Sequence, residues 1–200
     1  MAQTLYLTRH NAALKILFFE MLMGYQLVDA ISPWYSSVQP KPLYQDDKAT
    51  AYWDVPVFAE HLQVRGNRVD ARFVDSENVN KEVMLIEMSC PWMDNRKQKE
   101  EEKALKYAPL RLELKRQHPR FKIRQSSIAI DPRNLMVEVK MLVGSDRCRQ
   151  VLRRIQKAVL SHTFHIAKTF KVMCQPLGHL LYANETTHKL AFSRHYLDRD

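Results

Sequence analysis

Apolar residues first recur at helical spacing. Behind Asn11, a residue suited to capping a helix, Leu14, Leu17, Phe18, Met21 and Leu22 fall on one face, and Gly24 is a natural stop. Ser32 to Asp47 then holds Pro33, Pro40 and Pro42 among Trp34, Tyr35 and Tyr44. The prolines oppose regular structure and the aromatics need a surface, so this segment predicts an irregular arm rather than a linker. Tyr52 to Phe58 reads as extended. Val69 to Val74 alternates as a strand does, and Val83 to Ser89 is nearly continuous in apolar residues, as in a strand covered on both faces. The polar "DSENVNKE" between them predicts a turn, and Pro91 ends the second strand.

Helical spacing returns from Asp94, a capping residue, to about Ala108. Pro109 breaks that helix and opens another, to about Gln117, and His118-Pro119 closes it. Phe121 to Ile130 predicts a third strand, ending at Asp131-Pro132. From Arg147 to Lys171, Cys148, Val151, Leu152, Ile155, Val159, Ile166 and Phe170 form the stripe of a long amphipathic helix. Beyond Met173 the pattern dissolves into a tail. The order of elements predicts a mixed α/β layered domain. Its parts are a helix and aromatic arm over 1–47, a core with a basic last helix over 48–172, and a tail over 173–200.

The most apolar segment, Ala12 to Met23, is too short to span a bilayer, and Lys15 and Glu20 make it a poor signal peptide. Three cysteines with no CxxC spacing point to a reducing compartment and against a structural zinc site. A soluble intracellular protein is expected.

Charge sharpens this picture. The chain carries a formal +9, which favours nucleic acid as a partner. Arg147 to Lys171 holds seven Lys or Arg and no acid. Arg149, Arg153, Arg154, Lys157 and Lys168 lie mostly off its apolar stripe and are the expected phosphate contacts.

The candidate chemistry lies at "NRVD" and "LIEMS". In a hairpin centred on Asn78-Val79, residues whose numbers sum to 157 face each other, which sets Asp70 opposite Glu87. Two carboxylates about 5 Å apart repel unless a cation lies between them. Oxygen ligands with open positions suit Mg²⁺ or Mn²⁺, which serve phosphoryl chemistry. The plainer alternative leaves Asp70 paired with Arg68 or Arg72 and Glu87 reaching solvent. Lys103 and Lys106, three apart on the next helix, share a face and can neutralise a phosphate or position water.

The stretches "YWDVPVFAEHLQVRGNRVD", "EVMLIEMSCPWMDNRKQKEEEKALKYAPL" and "VLRRIQKAVLSHTFHIAKTF" resemble, over roughly Lys48 to Val172, the C-terminal region of non-LTR retrotransposon polyproteins whose restriction-like endonuclease follows a reverse transcriptase. The resemblance implies a restriction-endonuclease-like PD-(D/E)xK fold, a mixed β-sheet flanked by helices. Asp70 and Glu87 would be the metal carboxylates and Mg²⁺ (or Mn²⁺) the cofactor. The lysine expected two residues after Glu87 is Ser89 here, which leaves Lys103 or Lys106 to serve, with Tyr107 and Arg68 in support. Val69 stands where the family has proline. The sixteen residues between the acids exceed the family spacing and leave Asp75 as a rival acid, placed in the turn by this register. The implied activity is nicking of target DNA in the nucleus to prime reverse transcription of element RNA, fused to the polymerase and without a membrane. The alternatives are an inactive, decayed DNA-binding module and a ribonuclease.

Other residues have plainer roles. Glu20 could supply a third acid but is expected on the wet face of the first helix. His162 and His165 are expected on the surface. Trp53, Trp92 and Tyr107 are expected to pack rather than stack on bases.

Overall fold

The computed structural model describes residues 2–77, 81–89, 96–130 and 135–194. The expected turn at Asn78-Val79, Pro91, Trp92, Asp94 and Asp131-Pro132 lie outside them. The element order is α1 (Ala2–Gly24), β1 (Leu43–Gln45), β2 (Ala49–Trp53), β3 (Ala71–Asp75), β4 (Glu82–Ser89), α2 (Arg96–Lys106), α3 (Ala108–Gln117), β5 (Lys122–Ala129), α4 (Leu135–Val143) and α5 (Ser145–Arg194). The strands form one mixed sheet in the order β1-β2-β3-β4-β5. The first four are antiparallel neighbours, and β5 runs parallel to β4. A parallel pair needs a long crossover, and α2 with α3 supplies it.

Chain contacts divide the protein into two units, Met1–Val159 and Leu160–Asp200. The first contains the sheet, covered on both faces. On one face α1, α4 and the start of α5 bury Leu17, Phe18, Met84, Ile86, Val139 and Ile155 together. On the other, α3 packs Leu110 and Leu114 on Val83 and Leu85. This double cover explains why β4 reads as a continuous apolar run. The aromatic arm packs in part: Tyr44 meets Phe18 edge-on at 5.9 Å and Trp34 lies against the same cluster, while Tyr35 is 74 % exposed; Trp53, from β2, meets Phe18 at 5.0 Å. Such pairs add about 0.5–1.5 kcal/mol beyond area burial.

Four expectations are corrected. Tyr52 to Phe58 is not one strand, because the chain turns at Asp54 with a φ of 52°, leaving a single bridge from Pro56 to Arg68. Asp75 is not in the turn: it ends β3, opposite Glu82, and accepts the Glu77 N–H. α4 was not anticipated, since "LMVEVKMLV" is short and one-third β-branched. The helix also does not dissolve at Met173. It runs to Arg194 through Pro176 and Gly178, in a segment with helix formers such as Leu177, Leu180, Leu181 and Leu190.

Candidate active site

The β3–β4 register is the predicted one: Arg72 faces Leu85 and Val74 faces Val83. Ladder pairing stops at Ala71 and Ile86, while β4 continues to Ser89. Asp70 therefore sits one residue before β3, opposite Glu87, where the ladder ends. The two acids take over there. The Asp70 N–H donates to Glu87 Oε1 (3.2 Å), and the Met88 N–H donates to Asp70 Oδ2 (2.7 Å). Because β3 no longer covers this end of β4, the Met88 carbonyl faces the site instead of a partner strand.

Lys103 reaches in from α2. Its ammonium is 3.2 Å from Glu87 Oε2 and donates to Met88 O at 2.7 Å. Lys106, the other candidate, is exposed, and its Nζ donates to the Tyr107 hydroxyl at 2.8 Å. Its stem lies against Gly66, where a Cβ would stand 3.3 Å from its Cγ. The structure thus brings Lys103 to the carboxylates and leaves Lys106 one group removed. Tyr107 is buried, with its hydroxyl 3.2 Å from the Arg68 carbonyl and within hydrogen-bonding reach of Glu87. It ties the loop before Asp70 to the start of α3.

Glu87 is 5 % exposed. Burial raises its pKa, the neighbouring Asp70 charge raises it further, and Lys103 and Tyr107 only partly offset this. Tyr107 is also pushed upward, first by burial and then by Glu87, so it stays a neutral donor.

His10 is the participant that sequence reasoning missed. It comes from α1, which packs on the opposite face of the sheet, so the site forms at the strand ends where the two layers meet. Its Nε2 is 3.1 Å from Asp70 Oδ2 and 3.1 Å from Met88 O, and its Nδ1 is 2.9 Å from Asn11 Oδ1. Burial lowers its pKa, but the Asp70 hydrogen bond and charge outweigh that and raise it to about 9.

Arg68 does not point at the acids. Its guanidinium is bidentate to Asp54, at 2.6 and 2.7 Å, on the surface. Glu20 overturns its expectation: it is 1 % exposed, not on a wet face, and is bound by both Arg147 and Arg154. Arg154, counted among the phosphate contacts, is therefore held by a buried carboxylate. Arg149, Arg153 and Lys157 are exposed on α5, and Lys168, also exposed, lies in the second unit.

Among the described residues no group of three or more His, Cys, Asp or Glu side chains is arranged to hold a metal ion. The donors that do meet here are two carboxylates and a main-chain carbonyl, all oxygen, already touched by two cationic groups. This set fits a hard divalent cation. The chain matches no protein-family model, no curated protein and no solved structure. No helix among the described residues is long and apolar enough to cross a membrane.

Proposed function

We propose that this chain is a metal-dependent DNA endonuclease of restriction-like fold, with Asp70 and Glu87 as its metal carboxylates. The observation that carries this reading is the buried Glu87, held beside a second acid, Asp70, at the end of an apolar strand, with Lys103 and Tyr107 as its side-chain partners. Repulsion and desolvation oppose two acids placed so, and their hydrogen bonds and cationic neighbours offset this only in part, since the Glu87 pKa still moves up. A cation taken up here would offset the rest.

Asp70, Glu87 and the Met88 carbonyl would hold Mg²⁺ or Mn²⁺. When bound, such an ion polarises a phosphoryl oxygen and lowers the pKa of water. Lys103 keeps a positive charge beside Glu87 and takes the role of the lysine absent at Ser89, steadying the attacking water and the charge that builds on phosphorus. Tyr107 holds Glu87 in place from below. Lys106 acts through Tyr107. Arg68 fixes the loop before Asp70 through Asp54. Arg149, Arg153 and Lys157 on α5, with Lys168 beyond them, would meet the DNA backbone, which gives salt-dependent and largely sequence-blind affinity. On the resemblance to the retrotransposon enzymes, the nick would fall in chromosomal DNA in the nucleus and prime copying of element RNA.

Nicking of a supercoiled plasmid in Mg²⁺ tests the reading, beside Asp70→Ala and Glu87→Ala. Wild type should nick, and either substitution should slow it at least about a hundredfold. A gel shift with DNA but no nicking by the wild type would replace the enzyme with a DNA-binding module. RNA cut in preference to DNA would make it a ribonuclease.

A further inference from the structure

We propose that His10 is a nitrogen donor to the cation of this site, and that it moves the site's preference from Mg²⁺ toward Mn²⁺. The inference rests on reading Asp70 and Glu87 as a cation site and goes beyond it by adding a ligand from a helix outside the two-strand motif.

The Nε2 atom stands 3.1 Å from Asp70 Oδ2 and 3.1 Å from the Met88 carbonyl oxygen. Neighbouring ligands of a six-coordinate ion at about 2.1 Å are themselves about 3 Å apart. The three atoms are thus spaced as adjacent ligands of one ion are. The other ring nitrogen, Nδ1, is 2.9 Å from Asn11 Oδ1, an acceptor. Two acceptors beside Nε2 mean that it carries a proton when no cation is bound, and a bound cation would displace that proton and take the Nε2 lone pair, while a proton on Nδ1 satisfies Asn11. Metal-bound histidines are commonly fixed in this way, by a hydrogen bond from the nitrogen that does not bind.

The helix holds this aim. His10 is one turn before Leu14, and from Ala13 through Leu22 every residue of α1 is buried. The imidazole is 18 % exposed and Asp70 24 %, so the cluster is sheltered but open to solvent on one side. Oxygen-only sites suit Mg²⁺, and an imidazole among the donors favours first-row transition ions.

Mn²⁺ added to the full chain, read by electron spin-echo spectroscopy, tests the proposal without any substrate. The expected result is modulation from a directly bound ¹⁴N in the wild type and its loss in His10→Gln, whose side chain is of similar size and polar. In the same variant Mn²⁺ affinity should fall about 10- to 100-fold, while Mg²⁺ affinity, read by competition, should change far less. Circular dichroism of His10→Gln and His10→Ala checks that the helix persists, and the wild-type signal stands without either variant. If Mn²⁺ binds and Asp70→Asn abolishes binding, yet no nitrogen modulation is seen, His10 is only a hydrogen-bond clamp and the proposal falls alone. If Asp70→Asn leaves Mn²⁺ binding unchanged, the cation site falls with it.

Discussion

Glu87 and Glu113 are both buried glutamates, and the chain treats them in opposite ways. Glu113, on α3, is fully buried and collects donors: the Glu60 N–H at 2.8 Å, the His61 N–H at 3.1 Å, His61 Nδ1 at 3.1 Å and Gln117 Nε2 at 2.8 Å. Burial pushes its pKa up, but these partners outweigh that and bring it to about 2. Glu20 is also partnered, with two arginines on one carboxylate. Glu87 has a second acid for a neighbour, and its pKa moves up. The first two carboxylates pin segments together. The third is left short of positive charge where a main-chain carbonyl also points inward. Buried acids with donors on every side hold a fold, and Glu87, which shares its lysine's neighbourhood with a second acid, is where we propose that a cation enters.

The sharpest way to break this contrast is to remove a partnered acid. Glu20→Ala leaves Arg147 and Arg154 facing each other at the core's edge and should cost about 3–5 kcal/mol in urea denaturation. A loss under about 1 kcal/mol would mean the cluster is not structural. A smaller effect separates the two lysines. Lys103→Ala should slow nicking about a hundredfold, while Lys106→Ala, whose ammonium meets Tyr107 and not Glu87, should slow it only a few-fold. Equal losses would place Lys106 in the site. The smallest effect is a pH slope. A carboxyl whose folded pKa is about 2 gives stability that is fully present above its ordinary value near 4.5 and lost as pH falls through about 2. Denaturation curves between pH 5 and 2 should therefore steepen for the wild type relative to Glu113→Gln. Parallel curves would show that Glu113 is not the acid that pins the 58–61 loop.

Much of the pocket was legible because it is local. Alternation in "RVDARFV", the run in "VMLIEMS" and the turn between them fixed a register, and a period-two structure then leaves no choice of face. Lys103 and Lys106 both followed from helical spacing on the next element, which did not choose between them. His10 was not legible. It lies sixty residues from Asp70, with no motif around it, and only the packing of α1 across the sheet brings it in. Glu20 was misplaced because a two-sided helix was assumed, although "KILFFEMLM" is apolar nearly all round and such helices are buried. Its partners, Arg147 and Arg154, were hidden within a basic run whose residues look alike in sequence. The long α5 was cut short at Met173 because its apolar stripe loses its period there, although the chain stays helical to Arg194.

Thermal melting with and without Mg²⁺ tests the central claim most directly, since it needs neither substrate nor activity. A ligand that binds only the folded state at about 100 times its Kd adds about 2.7 kcal/mol, on the order of 5–10 °C for a chain of this size. Saturating Mg²⁺ should raise the wild-type Tm by that order, leave Asp70→Asn and Glu87→Gln unmoved, and still raise Glu113→Gln. A wild-type Tm indifferent to Mg²⁺ and Mn²⁺, or a rise that survives loss of both Asp70 and Glu87, would contradict the account.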